Sequence, residues 1–188
     1  MVARAEAAAA TRERMLATAW RHFSDGPYEE VRLSAIAADA GVTVQTLHSG
    51  FGTKDDLFVA AWRWFGTQEV TRRDAAPVGD VEVAVRLIYD SYELHGDAVL
   101  RLLAQEERIP AVRQMADGGR AYHRGWVART FAPVLAGSSG AARERRLVAL
   151  VVATDLLVWK LLRRDMSLGR ATAERIVTEM VATTKGAP

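Results

Sequence analysis

Two short helical patterns joined at a single glycine constrain this chain more than any other feature. Residues 34–51 read S-A-I-A-A-D-A-G-V-T-V-Q-T-L-H-S-G-F. Ala37 is small enough for two helices to cross closely, and Gly41 can take the positive φ of a tight turn without steric cost. Ile36, Ala40, Val42 and Leu47 supply apolar contacts between the two pieces. A small residue, a glycine four positions later and an apolar residue six after that form the pattern of a helix-turn-helix, whose second helix can enter a DNA major groove.

The rest of the chain is also helical in period. Residues 11–24 place Met15, Leu16, Ala19, Trp20 and Phe23 on one stripe, and Asp25-Gly26-Pro27 stops it. Gly52 interrupts the chain after the second short helix, and Thr53 with Asp56 has the spacing of a capping box for a helix over 54–74. Its inward face is Leu57, Phe58, Ala61, Trp62 and Phe65. Further helices are expected near 80–95, 97–107, 110–135, 141–165 and 170–184, punctuated by Gly96, Pro110, residues 137–140 and Gly169, with Gly118-Gly119 able to bend one of them. No alternating strand pattern is found, so the expected fold is all-α.

Composition narrows the function. With no cysteine in 188 residues, disulfides, thiolate nucleophiles and Cys-rich zinc sites are excluded. The four histidines, His22, His48, His95 and His123, never fall at the three- or four-residue spacing of a helical metal site. No phosphate loop or nucleophile elbow is present, and Glu106-Glu107, neighbours about 100° apart on a helix, make a poor catalytic pair. Neither metal, cofactor nor enzymatic activity is therefore expected. The start is Ala-rich without the bulky apolar core of a secretory signal, and the greasy stretch 147–162 carries Asp155 and Lys160 and is shorter than the ~20 residues of a membrane span. A cytoplasmic protein with no membrane partner is expected. Formal net charge is only +2, and residues 1–73 hold nine Lys+Arg and nine Asp+Glu, so bulk charge gives no support to nucleic-acid binding and the motif carries it alone.

The motifs together resemble the TetR-type transcriptional regulators. T-R-E-R-M-L-A-T-A-W-R-H-F, then D-G-P-Y, then L-S-A-I-A-A-D-A-G-V-T lead to T-L-H-S-G-F-G-T-K-D-D-L-F, similar to the family's TLYxHFxxKxxL segment. The likeness spans residues 11–65, with weaker echoes in H-G-D-A-V-L-R-L-L-A-Q-E and D-L-L-V-W-K-L-L-R-R-D. It implies a three-helix DNA-binding domain at 1–53 and a helical ligand-binding and dimerisation domain at 54–188. It further implies a homodimer on a double-stranded operator, acting as a repressor released by a small-molecule effector. Four positions depart from the pattern: His48 replaces the usual aromatic, Ser49 and Gly50 replace the bulky residues after it, and Arg32 stands where a small hydroxyl residue often caps the second helix.

The candidate DNA contacts follow. Thr43 can cap the recognition helix through its hydroxyl. Val44, Gln45 and Thr46 sit at its N-terminus, where Gln45 can pair with adenine and Thr46 can meet a thymine methyl. His48 and Ser49 are candidate phosphate donors, Arg32 a phosphate-reaching cation, and Lys54 a cation at the start of the next helix. For the effector, Trp62, Phe65, Tyr89, Tyr92, Trp126 and Trp159 are either core or cavity wall, and Glu93, His95, Tyr122, His123 and Asp155 are candidate polar groups. Asp155 lies in a stretch greasy all round and needs a partner such as Arg124, Arg129, a second subunit or a cationic ligand. That same stretch and the helix over 170–184 are the expected four-helix interface of a C2 dimer, the alternative being a central helix of a monomer. Two rival readings remain: a helical ligand-binding protein or enzyme that kept the motif without reading DNA, and a DNA-binding protein without an effector.

Overall fold

The structure, a computed structural model, describes residues 2–184. Its elements are α1 (Val2–Asp25), a 3-10 turn (Tyr28–Glu30), α2 (Leu33–Ala40), α3 (Val44–Phe51), α4 (Lys54–Arg73), α5 (Val81–Leu103), α6 (Pro110–Thr130), α7 (Ala132–Leu135), α8 (Gly140–Ala153), α9 (Leu156–Lys160), a π-helical turn (Leu161–Asp165) and α10 (Arg170–Thr184). There is no strand among the described residues, and the fold is all-α as expected. Helix α1 starts nine residues earlier than the apolar stripe predicts, because the alanine-rich run before Thr11 is the strongest helix-forming composition available. Among the described residues no helix is long and apolar enough to cross a membrane.

The described residues pack as two compact units, one of the residues up to 69 with 98–117 and one of 70–97 with those from 118 onward. The first is built on the stripe of α1. Met15, Leu16, Ala19, Trp20 and Phe23 are buried with Ile36, Ala37 and Ala40 of α2, Leu47 of α3, and Leu57, Phe58, Ala61 and Phe65 of α4. Leu102, Ile109, Val112 and Met115 complete this core. Phe23 and Phe58 meet edge-on at 5.0 Å, and Tyr28 packs edge-on to Phe58 at 5.3 Å. Fully burying one such ring stabilises by roughly 1.5–3 kcal/mol. The main chain at the 3-10 turn is tied in by Gln105, whose Oε1 accepts from Tyr28 N at 2.8 Å.

In the second unit, Ala84, Val85, Ile88, Tyr89 and Tyr92 of α5 are buried, as are Trp126 and Val127 of α6, Leu147, Leu150 and Ala153 of α8, Trp159 of α9, and Ala173, Val177 and Val181 of α10. Arg163 pairs with Glu93, Arg164 with Asp97, and Arg170 with Asp90, so three arginines of the last segment clamp it to α5. The helix break expected at Gly96 is absent. Gly96 lies inside α5 because the ring of Trp159 packs directly on it, and a Cβ there would stand 2.6 Å from Cζ3. Gly118-Gly119 runs through α6 unbroken.

One expectation is corrected. The greasy stretch 147–162 is not a single helix with an acid in its middle. It breaks at Thr154, and Asp155 caps α9, its carboxylate accepting from Leu157 N at 2.8 Å. The partner Asp155 needs is thus a backbone amide, an ordinary use of aspartate at a helix start. The break leaves Val148 and Val152 exposed one turn apart on α8, and Leu157 and Leu161 exposed one turn apart beyond it.

Candidate nucleic-acid interface

Helices α2 and α3 form a helix-turn-helix whose turn is set by Gly41. Its φ of 66° and ψ of 38° are left-handed. Val42 N donates to Ala37 O at 2.9 Å and Gly41 N to Ala38 O at 3.1 Å, the paired bonds of a Schellman end. A Cβ at Gly41 would meet nothing within 4 Å, so only backbone conformation selects glycine here. Helix α3 then starts on Thr43, whose extended backbone and hydroxyl, accepting from Thr46 N at 3.1 Å, make it the N-cap. Leu47, 2% exposed, is the anchor that seats α3 in the first core.

With Val44 and Phe51 packed half-buried beside it, Leu47 leaves the remaining faces of α3 to solvent. Thr43, Gln45, Thr46, His48 and Ser49 are exposed and Val44 is half-buried. Gln45 Nε2 reaches Ser49 Oγ at 3.4 Å, a long bond that leaves both side chains adaptable. The C-terminal end, weakened by Gly50, is braced from α1: Arg12 donates to Gly50 O at 3.2 Å and lies 4.4 Å over the Phe51 ring. Arg14 Nε likewise donates to Ala40 O at 2.8 Å. Asp39 pairs with Arg21 and His22, whose hydrogen bonds hold its carboxyl below the usual range.

Two candidates are engaged in ways the sequence did not reveal. His48 Nδ1 lies 2.8 Å from Gly52 O, which can only accept, so Nδ1 carries the proton. The remaining nitrogen, Nε2, is an acceptor in the neutral ring, and His48 can donate to a phosphate only when protonated. Lys54 is committed to the fold: its ammonium donates to Tyr28 O at 2.6 Å, reaches Glu29 O at 3.4 Å and sits 4.6 Å over the Tyr28 ring. Burial lowers its pKa. Arg32 is the reverse case. Its backbone carbonyl starts α2, while its exposed side chain has no hydrogen bond or ion pair among the described residues. Thr53 and Asp56 form the expected capping box, Thr53 N donating to Asp56 Oδ2 at 3.0 Å and Asp56 N to Thr53 Oγ1 at 3.2 Å.

The candidate effector residues fall into separate groups. Trp62 and Phe65 belong to the first unit, packed with Trp20 at 5.5 and 4.4 Å. In the second unit, Trp159 donates to Glu93, which also pairs with Arg163, and Tyr122 reaches Asp74 at 3.4 Å. Tyr89 packs near Tyr92, with 6.5 Å between centroids. Tyr92, His123, Thr154 and Trp126 form another cluster with Arg73, a residue not among the sequence candidates. A signal was present: Ala61, Phe65 and Glu69 are buried at intervals of four, and the next interval reaches Arg73.

Residues 15–61 match the sequence profile of the family described as bacterial regulatory proteins, tetR family. No curated protein matches the chain in sequence. Solved structures share the fold, three of them as follows. A transcriptional regulator from Rhodococcus sp. Rha1 superposes with a TM-score of 0.69 at 17% identity, covering 92% of this chain and 94% of that one. A tetR-family transcriptional regulator from Streptomyces coelicolor gives 0.69 at 17% identity over 93% and 78%. A TetR-family regulator from Streptomyces coelicolor A3 gives 0.54 at 24% identity over 94% and 95%.

Proposed function

We propose that this chain, whose residues 15–61 match the tetR family profile and whose fold is shared with solved transcriptional regulators, is a DNA-binding regulator of transcription, a homodimeric repressor released from its operator by a small molecule. The observation that carries the DNA-reading surface is the exposure of Thr43, Gln45 and Thr46 on a helix seated through one buried leucine. In this reading Gln45 and Thr46 meet base edges, and Thr43, Ser49 and Arg32 meet phosphates. Val44 lines the same helix start and touches the groove edge. His48 joins the phosphate contacts in its protonated form. Residues 1–53 then read DNA and 54–188 bind the effector and dimerise, all of it in the cytoplasm. The dimer forms through the last helices: Val148, Val152, Leu157, Leu161 and Met180 stand exposed there, and a second copy offers the same apolar surface.

Repression by such a dimer is a matter of spacing. Two recognition helices must enter grooves about one DNA turn apart. An effector that prefers another spacing lowers operator affinity by its differential binding, typically ~1–3 kcal/mol. The test is a fluorescence-anisotropy titration against DNA from the chain's own promoter region. The wild type binds that DNA over a scrambled duplex, and Gln45→Ala/Thr46→Ala abolishes the preference while melting like the wild type. Absence of any binding at low salt refutes the proposal and returns the chain to the class of helical ligand-binding proteins.

A further inference from the structure

Five residues of the second unit close a ring of contacts around a charge with no counter-ion. Arg73, at the end of α4, places its guanidinium carbon 5.2 Å from the Tyr92 ring centroid. The Tyr92 hydroxyl donates to Thr154 O at 3.0 Å. Thr154 Oγ1 lies 3.2 Å from His123 Nε2. His123 stacks on Trp126 with 6.1 Å between centroids, and Trp126 Nε1 donates to Arg73 O at 3.1 Å. Four elements thus meet: the end of α4, α5, α6 and the break after α8.

Two polar atoms in this ring are buried without a partner among the described residues, Arg73 Nε and His123 Nδ1. Their hydrogen-bonding character is fixed by their neighbours. Thr154 Oγ1 sends its only proton to Leu150 O at 2.8 Å, so it accepts from His123, and Nε2 also faces Val151 O at 3.4 Å. Both neighbours accept, hence Nε2 carries the proton and Nδ1 presents a bare lone pair. Arg73 Nε is a donor on a positive group. Its charge is met only by the Tyr92 face and one 3.3 Å bond from Nη2 to Ser91 Oγ, with no carboxylate pairing to it among the described residues. Asp155 is the acid felt at His123 and Tyr92, and it is engaged in capping α9. A half-buried, unpaired guanidinium and a buried unsatisfied imidazole nitrogen each cost free energy.

We propose that this ring is the effector's anchor and that the effector is a small organic acid, its carboxylate meeting Arg73 and a hydroxyl or N–H group of the same molecule donating to His123. This rests on the effector-released reading above and names the ligand class for it. Guanidinium and carboxylate form charge-assisted bonds, the strongest available to a neutral-pH ligand, and the fork of Arg suits two oxygens. Tyr92, Trp126 and Phe131, the last edge-on to Trp126 at 5.7 Å, are buried beside the ring and make its surroundings apolar, which strengthens a charge-assisted bond.

The test uses the full chain with salicylate, 4-hydroxybenzoate and mandelate, each against its methyl ester and against sodium chloride at equal ionic strength, by thermal shift and calorimetry. At least one acid is expected to raise the melting temperature by about 3 °C or more at tenfold excess over its Kd, with its ester at least tenfold weaker. Arg73→Met abolishes binding, Arg73→Lys restores part of it, and the unliganded Arg73→Met chain melts like the wild type. His123→Leu erases the advantage of hydroxylated acids over benzoate. Equal shifts from acids, esters or chloride, no shift from any acid, a shift retained in Arg73→Met, or an Arg73→Met chain that no longer melts cooperatively each overturn the proposal. Adding the acid to the operator complex separates the two readings. Binding that depends on Arg73 but leaves DNA affinity unchanged keeps the anion site and removes the effector role.

Discussion

Gly96→Ala and Gly118→Ala are the same chemical change inside two helices, and the structure assigns them opposite signs. In an exposed helix interior the exchange stabilises by roughly 0.8–1 kcal/mol, because glycine loses more backbone freedom on folding. At Gly118 nothing lies within 4 Å of the added Cβ, so that gain stands alone. At Gly96 the Cβ would stand 2.6 Å from Trp159 Cζ3 and 2.7 Å from Cη2. Carbon atoms settle at about 3.5–4.0 Å, so the indole or α5 must retreat by about 1 Å.

The indole has little room to do so. Trp159 is fully buried, its Nε1 donates to Glu93 Oε1 at 3.0 Å, and the guanidinium of Arg164 lies 4.3 Å over its ring. Overpacking of this kind costs about 1–3 kcal/mol. Set against the propensity gain, Gly96→Ala is expected to destabilise by up to about 2 kcal/mol and Gly118→Ala to stabilise by about 1 kcal/mol. For a chain of this length each kcal/mol moves the melting temperature by roughly 2–4 °C. Urea unfolding followed by tryptophan fluorescence reads both, and Trp159→Phe should rescue most of the Gly96→Ala loss. A Gly96→Ala chain stabilised as much as Gly118→Ala would falsify the close packing argued here.

Thr43→Ala removes the α3 cap and should cost about 1 kcal/mol in urea unfolding, with a matching loss of operator affinity. Arg32→Ala and Lys54→Met are expected to separate cleanly: Arg32→Ala leaves stability unchanged and lowers the salt dependence of DNA binding by about one unit of slope, whereas Lys54→Met lowers stability by about 1–3 kcal/mol with little change in slope. His123, pushed down to about 4 chiefly by burial and then by the Arg73 charge, makes folding acid-sensitive. Between the unfolded value near 6.5 and the folded value the unfolded chain binds the extra proton, so stability present above pH ~6.5 declines towards pH 4, by at most about 1.4 kcal/mol per unit. His123→Gln should flatten that stretch of the stability–pH curve, and an unchanged slope would remove His123 as its source.

Local chemistry made the first unit legible in the sequence. Gly41, Thr43 and the Thr53–Asp56 pair act within three or four residues of themselves, and each does in the structure what its spacing predicts. The α1 stripe worked for the same reason, since helical period alone selects Met15, Leu16, Ala19, Trp20 and Phe23. Lys54 shows the limit of such reading: a lysine opening a helix looks like a phosphate ligand until the carbonyls of Tyr28 and Glu29, 26 and 25 residues earlier, are found to hold it.

In the second unit the decisive contacts are non-local, and local rules misplace its residues for that reason. Gly96 reads as a helix stop but is a clearance for Trp159, 63 positions later in sequence. Asp155 reads as a buried acid in need of a cation but ends one helix problem by starting another helix. Arg73 draws no reading from the sequence, since it ends a helix beside Arg72, though it continues the four-residue interval of Ala61, Phe65 and Glu69. A charged residue is discounted from an apolar stripe by any hydrophobicity rule, and functional charges in a core are the ones such a rule discards. A charged residue extending a buried interval beyond its last apolar member is therefore a candidate ligand anchor. Arg73→Met is the direct trial of that inference, since a residue that merely ends a helix would leave organic-acid binding untouched.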